Sequence, residues 1–67
     1  MSKEYIIKQY KLAMLDFELA RCEDDQWNAR KQMASLETFA SAMYGFEFSD
    51  SLRSQAAALT AADLCRS

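Results

Sequence analysis

Between Tyr5 and Ala20 the chain is apolar at eleven of sixteen positions, and helical spacing divides those side chains between two faces. Leu12, Leu15 and Leu19 fall on one side; Ile6, Ile7, Tyr10, Ala13, Met14 and Phe17 fall on the other. Glu4, Lys11, Glu18 and Asp25 line one boundary between the two, and Gln9, Asp16 and Glu23 line the other. A helix with two faces to bury requires two covers. Each large side chain left in water forfeits roughly 1.5–3 kcal/mol of burial, so leaving a whole face open would cost as much as a small domain's entire stability.

Proline is absent, the only glycine is Gly45, and the β-branched residues are Ile6, Ile7, Thr38 and Thr60 alone. Helix formers dominate the rest, so the expected fold is all-α. Ser2 is the expected N-cap of a first helix. From there one heptad register runs through Leu12, Leu15, Leu19, Cys22, Gln26, Ala29, Met33, Leu36, Ala40 and Met43, interrupted only by the polar Gln26. This predicts one long helix to Tyr44. A break near residues 23–26 is the competing reading, because Asp24 or Asp25 would serve as a cap; an Arg21–Asp25 pair at i,i+4 argues for continuity.

Gly45 is the expected stop, with Phe46 folding back onto Ala40. Ser49 or Asp50 then caps a shorter helix from Ser51 to about Cys65, with Leu52, Ala56 and Leu59 on one face. Thr60-Ala61-Ala62-Asp63 has the pattern of a capping box and marks a second place where that helix can restart.

A long helix and a short one make a hairpin in which the short arm cannot reach Tyr5 to Ala20. The expectation is therefore a single helical domain over residues 1–67 that pairs with a second copy as a dimeric bundle, with Ile6, Tyr10, Leu12, Ala13, Leu15, Phe17 and Leu19 at the interface. The alternative is a monomeric three-helix bundle, in which the first helix satisfies both faces within one chain.

Chemistry is constrained by what the chain lacks. With no histidine and two cysteines at unrelated positions, Cys22 and Cys65, a structural zinc cage cannot be assembled, and Glu23-Asp24-Asp25 lacks the spaced ligands of a calcium loop. No phosphate loop, nucleophile elbow or paired acid signature is present. No catalytic, cofactor-binding or metal-binding residue is assigned, and the expectation is a protein without enzymatic activity. The start of the chain has no apolar h-region of a secretory signal, no segment is long and apolar enough to span a membrane, and both thiols are expected to be free and buried; a cytoplasmic setting without a membrane partner is expected.

Interaction is the remaining class. Trp27, followed by Arg30 and Lys31, and the aromatic linker residues Phe46 and Phe48 are the candidate partner-binding side chains, since aromatic and arginine anchors dominate interfaces. Phe46 and Phe48 have a structural role open to them as well, plugging the end of the bundle. Short all-helical chains without motifs are common among phage and plasmid accessory proteins, so the expected target is a host protein whose activity is adjusted by occupation of its surface. Nucleic acid is the alternative partner: Lys8, Lys11, Arg21, Arg30 and Lys31 supply positive charge, although eight basic and ten acidic residues leave a net charge of −2 and no basic face. A dimeric hairpin carrying those residues is similar in architecture to the Rop family of RNA-binding hairpins from plasmids, in which the two helices are more equal in length; that resemblance implies RNA as the ligand in this second reading.

Overall fold

A computed structural model describes residues 2–65 and contains four helices: α1 (Lys3–Leu19), α2 (Glu23–Tyr44), α3 (Phe46–Ala57) and α4 (Ala61–Cys65). No strand occurs among the described residues, and none of their helices is long and apolar enough to cross a membrane. The side chain of Cys65, and with it the state expected of that thiol, lies outside the described part.

The single long helix is not observed. The chain turns at Ala20, Arg21 and Cys22, where Ala20 has φ −63° and ψ 135° and Cys22 φ −137° and ψ 163°. Glu23, Asp24 and Asp25 then occupy the first turn of α2, where their charges face the positive end of the helix dipole. Magnitudes explain the reversal. An Arg21–Asp25 pair in a continuous helix would contribute about 0.3–0.5 kcal/mol. Folding back instead lets Met33 and Ala40 of α2 cover Ile6, Tyr10 and Ala13 of α1, a gain of roughly 1.5–3 kcal/mol for each large side chain buried. Burial outweighs helix continuity.

The turn also cuts the heptad register in two. In its α2 half Ala29, Met33 and Ala40 are buried while Gln26 and Met43 at the two ends are exposed; its α1 half, Leu12, Leu15 and Leu19, faces outward or sits at the edge. Cys22, expected to be buried, is an exposed free thiol at the α2 N-cap.

Gly45 closes α2 and opens α3 with no intervening linker. Its N–H donates to the Ser41 carbonyl at 3.0 Å, and its own carbonyl accepts from the Ser49 N–H at 3.3 Å. At φ +96° and ψ 167° it occupies a backbone region that is essentially reserved for glycine. Helix α3 therefore starts three residues before Ser49. The Ser49 hydroxyl is no cap but donates to the Glu37 carbonyl at 2.9 Å, tying α3 to the middle of α2. Leu52 and Ala56 bury the inner face of α3 against α1 and α2.

Two caps behave as their sequences lead one to expect. The Tyr5 N–H donates to Ser2 Oγ at 3.2 Å at the start of α1. At α4 the Thr60 N–H donates to Asp63 Oδ2 at 2.9 Å while the Asp63 N–H donates to Thr60 Oγ1 at 3.3 Å, a reciprocal capping box. The resulting body measures 33 × 26 × 18 Å.

Candidate interaction surface

The core takes most of the α1 residues expected between chains. Ile6, Tyr10 and Ala13 are buried against α2 and α3 of the same chain, and Phe17 packs half-buried on that core. Once the chain reverses at Cys22, that face of α1 already has a cover within its own chain. Leu12 and Leu19 are exposed and Leu15 is half-buried.

Trp27 sits near the start of α2, 61% exposed. At about 100° per residue it lies roughly 140° round the helix from the buried row Ala29, Met33 and Ala40, so α2 presents it away from the core. Lys31, one turn on, holds its Nζ 5.1 Å from the centre of the indole ring, a cation–π contact. Arg30 is also exposed and stands on the other side of Trp27, over the groove described below.

The aromatic residues around Gly45 divide by role. Phe48 is half-buried against the core, edge-on to Tyr44 with ring centres 5.3 Å apart and planes at 71°. Lys3 Nζ caps both rings, at 5.3 Å from Tyr44 and 5.5 Å from Phe48, and so fastens the start of α1 to the α2–α3 corner. Phe48 thus packs on the core, whereas Phe46 is 74% exposed and does not fold back onto Ala40. Its neighbour Met43 is also exposed, at 57%.

Because α3 has only twelve residues, it leaves the α2-proximal half of α1 uncovered on one side. A groove of about 580 Å³ opens there, floored by Met14, Phe17 and Met33 and rimmed by Arg30, Glu37 and Arg53. At its inner end the Tyr10 hydroxyl donates to Glu37 Oε1 at 3.0 Å, and Arg53 hydrogen-bonds the same phenol, so one residue from each of α1, α2 and α3 meets at this point. Burial raises the Tyr10 phenol above its usual value; the Arg53 hydrogen bond pulls it down, and Glu37 pushes it up. The contact with Tyr10 in turn raises Arg53. A neutral phenol held between a carboxylate and a guanidinium joins three helices and offers no nucleophile. No signal in the sequence pointed to this cluster, since its members lie on separate helices.

Among the described residues no group of three or more His, Cys, Asp or Glu side chains is placed to hold a metal ion. The chemistry on offer is apolar contact framed by charge. Comparison of the chain with protein-family models, with curated proteins and with solved structures gives no match.

Proposed function

We propose that this chain works by binding, as a non-catalytic accessory protein of the phage or plasmid kind that acts in the cytoplasm by occupying the surface of a host protein. The observation that supports this reading is the exposure of Trp27 and Phe46, two aromatic side chains that the fold holds out on rigid helices and does not use in its core. Aromatic anchors with few rotamers bury a large area on docking at little entropic cost, and arginine beside them adds planar hydrogen bonding. Arg30 and Lys31 flank Trp27 in that way. Nucleic acid ranks second, because Glu23, Asp24 and Asp25 open the same helix and oppose a phosphate backbone.

The test is capture from a bacterial lysate by the immobilised chain, compared with Trp27→Ala and Phe46→Ala. Polypeptides retained by the parent and lost by either variant, with melting unchanged, are the expected result. Equal capture by all three would remove the proposed contact surface. Retention of RNA or DNA that falls steeply with salt would favour the second reading.

A further inference from the structure

The outward face of α1 is used by neither the core nor the target-binding reading above. Tyr5, Leu12 and Leu19 recur there at seven-residue intervals, 48%, 43% and 76% exposed, with Leu15 half-buried between them. This row lies roughly 130° round the helix from Ile6, Tyr10 and Ala13. Seven-residue spacing keeps the row straight along a supercoiled partner helix, and α1 presents it over about 21 Å.

We propose that a second copy of this chain covers this face, with the two α1 helices antiparallel about a two-fold axis. Three features support that occupant. Leu12 of each copy meets Leu15 of the other beside the axis, giving a continuous apolar layer. Leu19, the most exposed of the row, follows Lys8 by eleven residues, about 17 Å along the helix. Antiparallel pairing therefore carries it to the Lys8 end of the other copy, where a groove of about 460 Å³ lies beside Tyr5, Ile7, Lys8 and Leu59. Projection and groove stand at opposite ends of the same row, so one two-fold operation fills both grooves and the contact closes as a dimer.

Charge gives the third. On the boundary formed by Glu4, Lys11 and Glu18, antiparallel pairing sets Lys11 of each copy against Glu18 of the other. Such exposed pairs select orientation more than they add affinity. Parallel pairing would align Lys8 with its own copy inside the row. Trp27 and Phe46 belong to α2 and α3 and not to the paired α1 row, so the dimer is tested separately from the target-binding reading.

Sedimentation equilibrium of the full chain at micromolar concentration is expected to give twice the 7.7 kDa chain mass. Leu19→Glu is expected to weaken association by about tenfold or more with the helical spectrum unchanged, and Leu12→Gln to act in the same direction. Lys11→Glu should weaken the dimer, and adding Glu18→Lys should restore it. A 7.7 kDa species at every concentration overturns the proposal, as does a dimer indifferent to Leu19→Glu. A dimer broken by Leu19→Glu but not rescued by the charge exchange overturns the antiparallel arrangement. If the parent is monomeric and Leu19→Glu abolishes capture of a host polypeptide, the face belongs to the target and the second copy is excluded.

Discussion

Two faces of one helix are made of similar side chains and serve different ends. On the inner face of α1, Ile6, Tyr10 and Ala13 meet Met33, Ala40, Leu52 and Ala56 and are removed from water. On the outer face Tyr5, Leu12 and Leu19 stay 48%, 43% and 76% exposed in their own chain. Apolar content does not separate them. What separates them is the reversal at Ala20–Cys22, which brings α2 back along one side of α1 and not the other. A residue's role in this small fold is set by where the chain turns, and the surplus apolar face is what the turn leaves over.

The comparison can be broken most forcefully from the inside. Ile6→Ala should cost about 2–5 kcal/mol through lost transfer energy and the cavity left behind, read as a shift in the urea midpoint with little change in slope. Next comes Gly45→Ala, which touches neither face. An added Cβ would meet nothing within 4 Å, so the penalty is torsional, about 1–3 kcal/mol, and should appear as a lower melting temperature.

Tyr10→Phe should cost about 1 kcal/mol, from the lost bond to Glu37, and should also change the alkaline limb of stability. The folded chain holds this phenol above its usual 10.0, so its contribution is complete below pH 10 and is lost as pH rises through the higher folded value. Melting curves from neutral to strongly alkaline pH should fall less steeply for Tyr10→Phe than for the parent. The smallest effect is expected outside: Leu12→Gln, measured under dilute conditions, should stay within about 0.5 kcal/mol of the parent. Were it as damaging as Ile6→Ala, the two faces would not differ as described.

Much of this was legible beforehand, and the failures have causes. The absence of proline and the lone glycine announce helices, and Ser2, Gly45 and Thr60–Asp63 each do locally what their chemistry suggests. The reversal at Ala20–Cys22 is marked only by the acidic residues Glu23, Asp24 and Asp25 that follow it. It contains neither glycine nor proline, Cys22 caps α2 without a side-chain hydrogen bond, and the heptad pattern passes straight through it. Tertiary burial decides between a break and a continuous helix there, and burial between distant segments is not written in local spacing. The same reason hid the meeting of Tyr10, Glu37 and Arg53. Among the candidate contact residues, the exposure of Trp27 and Phe46 separates them from Phe48, a division that depends on the angle at Gly45 and could not be read from three neighbouring aromatic letters.

The position of Trp27 also determines what light can report. As the chain's sole indole, largely in water and already beside the Lys31 ammonium, it should emit at long wavelength in the native state and shift little when the helices melt. Unfolding of this protein is better followed by circular dichroism. Its tryptophan emission then becomes a nearly silent background against which a partner closing over the ring would register as a blue shift, so the native chain carries its own optical probe of docking.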